Sequence, residues 1–338
     1  MTITVIVPSY KRLPDLKECV RALDAQTRPA EKIIIVVQDG DLETKAYVLE
    51  LAAAKPNISM EIVHKPGLIA AINAGLRITR TDIVALTDDD ARAHPDWLLN
   101  MEKRYLSDPS IGAVGGRDVI HLPLSETGRD ASAPPVILGE PSGQIGGFLW
   151  YGKLEGNHHC ECMAEWIPVA VLKGVNVSFR TAALGGKLID EGLHGTGSQP
   201  GGETDLCLYV GKAGWKLVFD SGVTVDHYIS PRPPEDARDQ HHGAAGRVAA
   251  YNMAYVVGKY GTAVQIAGNF LSASLLGSRF APGMAACVLY LLKREPMVLK
   301  RLSVQWPERM SGYLDGMKVR RRAGGAGGER NNDRTSSH

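Results

Sequence analysis

Three consecutive carboxylates form the clearest chemical signal in this sequence. Asp88, Asp89 and Asp90 directly follow a short apolar run, Ile83 to Leu86, that is typical of a buried strand. Adjacent carboxylates repel one another, so stability alone would not favour three of them at a strand end. A divalent cation would relieve the repulsion, because Mg²⁺ and Mn²⁺ take oxygen ligands and commonly join carboxylates to a diphosphate. Alternation along the chain would let Asp88 and Asp90 share a face while Asp89 turns away.

Both acidic clusters of the sequence also have a structural interpretation. The aspartates at 88–90 could open the helix that begins near Pro95-Asp96-Trp97 as N-cap residues. Glu203 and Asp205 lie at the start of a predicted helix, and a carboxylate can serve as a general base. Their alternative role is an acidic first turn that the helix dipole stabilises.

Strands and helices alternate through the first part of the chain, as the spacing of apolar residues indicates. This order predicts an α/β fold with a Rossmann-like, mostly parallel sheet and helices on both faces. Ligands of such sheets bind beyond the carboxyl ends of the strands, where polar residues follow three of the four strands here. The predicted strands are 3–7, 33–37, 60–63 and 83–86, and the predicted helices are 14–23, 42–54 and 69–78.

The remainder of the chain is less regular. Residues 117–166 are rich in Pro and Gly and are predicted to form a long loop region near the substrate. Further strands are predicted at 169–172, 175–179 and 216–225, and a helix at 203–213. From Tyr251 onward the pattern is helical and apolar, and the last 16 residues, 323–338, are predicted to be disordered.

Charge is spread unevenly along the 338 residues, whose formal net charge is +1. Residues 293–322 carry nine Lys/Arg and three Asp/Glu, so the first 292 residues are about five charges negative. An acidic body argues against a nucleic-acid-binding protein. The basic segment, with uncharged stretches at 261–278 and 280–292 before it, permits contact with an anionic membrane surface.

Cysteine usage and the start of the chain indicate the compartment. The five cysteines are scattered and odd in number, and residues 3–7 form a strand-like run with no signal peptide pattern. A reduced cytoplasmic location, with possible contact at the inner face of the membrane, is therefore expected. The run His158-His159-Cys160-Glu161-Cys162 lacks the second ligand pair of a zinc finger and is interpreted as a loop near the acceptor.

Taken in order, several motifs resemble those of family-2 glycosyltransferases. The resemblance implies a GT-A domain at 1–230, with a nucleotide-sugar half at 1–116 and an acceptor and catalytic half at 117–230. A helical C-terminal region at 231–322 and the tail at 323–338 would follow. The resembling motifs are Val7-Pro8-Ser9-Tyr10-Lys11-Arg12, Asp39-Gly40, Lys65-Pro66-Gly67, Asn73-Ala74-Gly75, Thr87-Asp88-Asp89-Asp90, the stretch 173–180, Gly202-Glu203-Thr204-Asp205-Leu206, Lys212-Ala213-Gly214-Trp215 and Val225-Asp226-His227.

The resemblance also implies a role for each motif. Glu203 stands where the family has its catalytic acidic residue and is the candidate base, with Asp205 as the fallback. Gly174 and Asn176 would lie on the acceptor side, and Arg232 could pair with the diphosphate. The implied metal ligands, for Mn²⁺ or Mg²⁺, are Asp88, Asp90 and His227. The implied nucleotide-sugar contacts are Pro8, Ser9, Tyr10, Arg12, Asp39, Lys65, Asn73, Asp88 and Asp89.

These residues lead to a functional expectation with two alternatives. The favoured function is inverting transfer of a sugar from a nucleotide-sugar, preferably a UDP-sugar, to a hydroxyl of a growing polysaccharide, glycolipid or glycoprotein glycan. The first alternative is a catalytically silent nucleotide-sugar or glycan-binding module, because Glu203 replaces the family's usual aspartate. Nucleotidyl transfer is the second, although residues 9–14 lack the glycines of its phosphate loop.

Overall fold

The structure is a computed structural model of the chain. It describes residues 1–121, 144–197, 199–229, 244–276, 283–285 and 297–332, with the main chain alone at 244–245, 297–304 and 323–332. The chain divides into two compact units. The first holds the described residues of Met1–Phe148, Leu154–Glu191 and Gly202–Pro233, and the second holds those of Leu149–Lys153, Gly192–Gly201 and Pro234–His338.

The first half of the first unit is the predicted alternation of strands and helices. Parallel pairing gives the strand order β3-β2-β1-β4. The parallel sheet expected from the sequence is thereby confirmed for this half. Its elements in chain order are β1 Ile3–Ser9, α1 Leu13–Asp24, β2 Lys32–Gln38, α2 Leu42–Ala54, β3 Ile58–Val63, α3 Leu68–Ile78 and β4 Ile83–Leu86.

The second half of the unit extends the same sheet with mixed pairing. Strand β8 pairs antiparallel with both β4 and β6, β9 runs parallel to β6, and β5 and β7 pair antiparallel with β9. Nine strands of the described part of the chain form this one sheet. Its elements are β5 Ala91–Ala93, α4 Trp97–Ser107, β6 Ile111–His121, β7 Trp166–Pro168, a 3₁₀ turn Gly174–Asn176, β8 Val177–Arg180, α5 Thr181–Leu184, α6 Gly202–Lys212 and β9 Lys216–Tyr228.

Two predictions for this half were wrong. Residues 117–121 belong to β6, although the sequence predicted a loop from 117, because they pair along the whole upper half of β9. Residues 169–172 are not a strand; the strand lies just before them, at Trp166–Pro168, where three residues pair with β9. Most of the predicted loop, residues 122–143, lies outside the described residues.

The core lies between the sheet and its helices. Strands β1, β2 and β4 are almost wholly buried, as expected for central parallel strands with apolar runs. Helix α1 buries Leu16, Cys19, Val20 and Leu23 on one side, the helical spacing read from the sequence. Trp97 opens α4 with a fully buried ring.

The second unit contains three helices with described side chains: α7 Ala244–Tyr260, α8 Ala263–Leu275 and α9 Met297–Asn332. Helices α7 and α9 approach closely because Gly312 and Gly316 lie one turn apart against the carbonyls of Tyr251 and Tyr255, where a Cβ would clash. Helix α9 runs into the predicted tail as far as Asn332. No helix among the described residues is both long and apolar enough to cross a bilayer.

Candidate active site

The three aspartates occupy the turn between β4 and β5. Strand β4 ends at Leu86, and the Thr87 hydroxyl donates to the Val175 carbonyl at 3.0 Å. The turn closes as the Ala91 N–H donates to the Asp88 carbonyl at 3.2 Å, and the Tyr228 N–H donates to the Asp90 carbonyl at 2.9 Å. None of the three aspartates is the N-cap of α4, which is Asp96. The structural interpretation of the cluster as a helix cap is therefore wrong.

Two of the aspartates meet a histidine from β9. Asp88, Asp90 and His227 each offer one ligand atom, and these atoms all lie within 4.8 Å of one another. The described residues contain no other group of three His, Cys, Asp or Glu side chains with this geometry. Two carboxylates and one imidazole are a donor set that suits Mn²⁺ and accommodates Mg²⁺. The residues present therefore fit a divalent cation.

Asp89 points away from this group, into the loop after β1. Its carboxylate is fully buried, accepts from the Ser9 hydroxyl at 2.8 Å and pairs with the Arg12 guanidinium at 2.9 Å. Burial raises the pKa of Asp89 to about 7, against the opposing charge of Arg12. Arg12 also pairs with Asp90 at 2.7 Å. The Arg12 guanidinium thus links the loop after β1 to the turn that holds the three aspartates.

His227 is oriented by a second carboxylate that the sequence did not point to. Its Nδ1 lies 3.0 Å from an oxygen of Asp118, while Nε2 faces Asp90 at 3.4 Å. Burial lowers the pKa of His227, but the hydrogen bonds and charges of Asp118 and Asp90 outweigh it and raise that pKa to about 9. Asp118 is fully buried on β6 and also pairs with Lys173. Asp118 was missed because the sequence predicted a loop at 117–166. A carboxylate inside a strand would have marked it as a candidate residue.

The two candidate bases differ sharply in their surroundings. Asp205 is fully buried, accepts from the Asp190 N–H at 3.1 Å and lies 3.6 Å from the Lys187 ammonium. Glu203 is only partly buried, and a Cβ built on Gly174 would lie 3.3 Å from its carboxylate carbon. The structure thus brings Glu203 to the predicted acceptor-side glycine and directs Asp205 into the fold.

The predicted nucleotide-sugar residues divide into two sets. Ser9, the last residue of β1, and Arg12 contact the aspartate turn, and the partly buried Pro8 and Tyr10 flank Ser9. Asp39 and Lys65 are exposed, and Asp39 directly follows β2, whose Val37 pairs with Ser9 of β1. Asp39 pairs with Lys45 at 2.7 Å, which lowers the pKa of the Asp39 carboxyl, and Lys65 pairs with Glu191 at 2.7 Å.

Two residues with predicted contacts are parts of the core. Asn73 is fully buried, and its amide exchanges two hydrogen bonds of 2.9 Å with the main chain of Ile189. Asn176 is also fully buried, accepts from the Trp97 indole at 2.8 Å and donates to the carbonyls of Arg117 and Val223. Their amide groups hold main chain in place. The nucleotide-sugar contact predicted for Asn73 and the acceptor-side contact predicted for Asn176 stay predictions.

The structural role of Asn176 is testable against its predicted acceptor-side role. Asn176→Ala should lower the free energy of unfolding by about 1–3 kcal/mol, because the Trp97 indole N–H loses its buried acceptor. The Michaelis constant for the acceptor should stay near the wild-type value in the fraction that remains folded. Urea denaturation and initial-rate kinetics check the two parts, and a raised Michaelis constant at full stability would restore the acceptor-side role.

The histidine and cysteine run does not form a metal site in the structure. His158 is buried, and its Nε2 contacts the Val171 carbonyl at 3.0 Å. Burial lowers the pKa of His158 to about 4, so the ring is neutral at physiological pH. Cys160 and Cys162 are free thiols, and the run is absent from the metal-capable groups of the described residues. Arg232, predicted to pair with a diphosphate, lies outside the described residues.

Comparison with known proteins gives a family match within the first half of the chain. Residues 4–165 match the model of a family described as Glycosyl transferase family 2. A glucosyl-dolichyl phosphate glucuronosyltransferase of Haloferax volcanii is 25% identical over 239 residues, which cover 68% of this chain and 70% of that protein.

Solved structures agree in fold. The crystal structure of GalNAc-T7 with UDP, GalNAc and Mn²⁺ superposes with a TM-score of 0.62 at 15% identity, covering 81% of this chain and 50% of that one. The mannosyltransferase PcManGT of Pyrobaculum calidifontis, in complex with GDP-Man and Mn²⁺, gives a TM-score of 0.51 at 16% identity over 93% of this chain and 86% of that one. Residues 4–165 of this chain thus belong to glycosyltransferase family 2, and the chain has the GT-A fold.

Proposed function

We propose that this glycosyltransferase is metal-dependent and inverting, and that it moves a sugar from a nucleotide-sugar to a hydroxyl of a growing glycan, polysaccharide or glycolipid. The observation that carries the proposal is the convergence of Asp88, Asp90 and His227, in the same unit as the partly buried Glu203. A UDP-sugar is the favoured donor, in keeping with the UDP and Mn²⁺ named for the GalNAc-T7 structure. A lipid-linked acceptor fits the name of the Haloferax volcanii relative.

The three candidate metal ligands would act on the diphosphate that leaves the donor. Asp88, Asp90 and His227 would hold Mn²⁺ or Mg²⁺, which supplies positive charge to offset the negative charge developing on the departing diphosphate. Arg12 bonds both Asp89 and Asp90, so it ties the aspartate turn to the start of α1. Ser9 and Tyr10 would line the nucleotide beside this turn.

Glu203 would act on the acceptor. Its carboxylate takes the proton of the attacking hydroxyl as the acceptor oxygen bonds to the anomeric carbon and the bond from that carbon to the diphosphate oxygen breaks. A single displacement of this kind inverts the anomeric configuration and needs no covalent intermediate. The absence of a side chain at Gly174 leaves room next to the carboxylate, as an acceptor hydroxyl requires.

The test is donor turnover across nucleotide classes. Hydrolysis of UDP-, GDP- and dTDP-sugars with Mn²⁺ should show release of one nucleoside diphosphate, with UDP preferred, and should stop when the metal is chelated. Anomeric configuration of the transferred sugar, read by NMR, should be opposite to that of the donor. Donor binding by calorimetry without any turnover, in the presence of candidate acceptors, would select the silent binding module instead.

The support that Asp118 gives to His227 leads to a separate prediction. Asp118→Asn should weaken Mn²⁺ binding about 10- to 100-fold, because the carboxylate that orients the imidazole is lost. Calorimetric titration of Mn²⁺ measures the effect without any turnover. The matched control is Asp220→Asn, which removes another buried carboxylate, paired with Arg104 at 2.7 Å. It should lower stability and leave Mn²⁺ affinity unchanged; equal affinities in the two variants would reject the role of Asp118.

A further inference from the structure

Helix α8 of the second unit presents apolar side chains to solvent. Val264, Leu271 and Leu275 are 62%, 55% and 50% exposed, and their spacing of seven and four residues places them on one face of the helix. No charged residue occurs between Thr262 and Leu276. A helix packed only against its own protein would turn this face inward, so the face is suited to an external apolar partner.

Two neighbouring segments enlarge this face. The turn Leu149–Lys153 packs on α8, where Gln265 donates to the Leu149 carbonyl at 3.2 Å and Asn269 donates to the Gly152 carbonyl at 2.6 Å. This turn carries an indole that is 77% exposed. At the other end, the Gly283 N–H donates to the Leu276 carbonyl at 3.4 Å. The exposed residues together, here called the apolar patch, are Trp150, Val264, Leu271, Leu275, Leu276 and Met284.

The opposite side of α8 is fixed to α9. The Phe270 ring meets Trp306 and Tyr313 edge to face, with centroids 5.5 and 6.3 Å away, and the Tyr313 hydroxyl donates to Asn269. With 13 residues, α8 is about 20 Å long, shorter than the roughly 30 Å hydrocarbon core of a bilayer. A short helix packed along one side can expose its other side only to a surface that runs parallel to it.

Positive charge adjoins the apolar patch. The Arg320 guanidinium donates to the Gly261 carbonyl at 2.6 Å, which brings this part of α9 to the N-terminal end of α8. Arg321 and Arg322 follow it in the sequence and are exposed, and the exposed Lys318 pairs with Asp315 at 2.9 Å. Apolar side chains, an exposed indole and a row of cations are the combination that binds helices to the interface of anionic membranes.

We propose that the apolar patch docks the protein on an anionic bilayer, with α8 in the plane of the interface, Trp150 at headgroup level and Arg321 and Arg322 facing lipid phosphates. A second copy of this chain would cover the apolar side chains but would bring the same cations, and no lipid phosphates, to the contact. The inference deepens the proposed function, on which it rests for the lipid-linked acceptor. Turnover of donor in water tests that function separately.

The experiment uses the full chain with vesicles of phosphatidylcholine alone or mixed equally with phosphatidylglycerol. Co-sedimentation should show binding to the anionic vesicles. The double variant Leu271→Glu/Leu275→Glu should bind them on the order of 10- to 100-fold more weakly, since two apolar side chains leave the interface. The double variant Arg321→Gln/Arg322→Gln should lose about fivefold per charge on anionic vesicles and nothing on neutral ones.

A matched control shows whether a loss of vesicle binding is specific to the apolar patch. Leu49→Glu/Leu106→Glu replaces two similarly exposed leucines of the first unit and should leave vesicle binding unchanged. Thermal unfolding and hydrolysis of donor in water should match the wild type in all three variants. No binding of the wild type to anionic vesicles would overturn the proposal. So would a dimer, detected by light scattering, that Leu271→Glu/Leu275→Glu dissociates without any change in vesicle binding.

Discussion

Glu203→Gln is expected to lower kcat by about 10²- to 10⁴-fold, the usual cost of losing a general base. The amide keeps the size of the side chain beside Gly174 but cannot take the acceptor's proton. Donor affinity should stay near the wild-type value, because Glu203 is not among the residues assigned to the nucleotide or the metal. Steady-state kinetics with a saturating acceptor, together with calorimetry of donor binding, measures both quantities.

The comparison that makes this result informative is Asp205→Asn. Asp205 is fully buried, and its carboxylate contacts the Asp190 main chain and Lys187, so its loss should reduce stability more than turnover. Each variant therefore has a distinct expected signature, a kinetic defect for Glu203 and a folding defect for Asp205. A severe fall of kcat in a stable Asp205→Asn protein beside a near-normal Glu203→Gln would reverse the two roles.

Asp90→Ala is expected to abolish turnover and to weaken Mn²⁺ binding by more than about 100-fold, beyond the range typical of outer-shell partners. The change removes one of three ligand groups and the carboxylate that pairs with Arg12. Calorimetry should be performed with Mn²⁺ alone and then with donor added, because donor binding is expected to depend on the metal. A melting curve establishes that the variant is folded.

Asp39→Ala provides the control for the metal. Asp39 is an exposed carboxylate of the same unit, outside the metal-capable group, and its proposed contact is the nucleotide base. This variant should bind Mn²⁺ alone like the wild type and should bind donor more weakly. If Asp90→Ala kept normal Mn²⁺ affinity and normal turnover, the ligand set proposed for this site would be wrong.

The sequence alone was sufficient for the parallel half of the fold. Strands β1, β2 and β4 contain short apolar runs, and α1 repeats its buried apolar residues at helical spacing, so periodicity identifies these elements without long-range information. The aspartates at 88–90 were placed after β4 for the same reason. Their interpretation as two residues on one face and one turned away matches the buried contacts of Asp89 with Ser9 and Arg12.

The mixed half of the sheet was predicted less well, because its strands are defined by their partners. Residues 117–121 of β6 follow two glycines and include Arg117, Asp118 and His121. This pattern is not apolar enough to predict a strand. Pairing with β9 decides its conformation. The internal contacts of Asn73 and Asn176 were not foreseen for a related reason: the groups that satisfy their amides are remote in sequence.

The sequence thus determined which residue types the candidate site contains, and the tertiary structure determined which of these residues come together. Local pattern identified the carboxylates at 88–90, because a strand end is a local feature, and the family resemblance selected those at 203 and 205. Only the folded chain brings His227 of β9 to Asp90, supports it with Asp118 of β6, and separates a partly exposed Glu203 from a buried Asp205. These outcomes depend on strand pairing and burial, which arise from contacts between residues far apart in the chain.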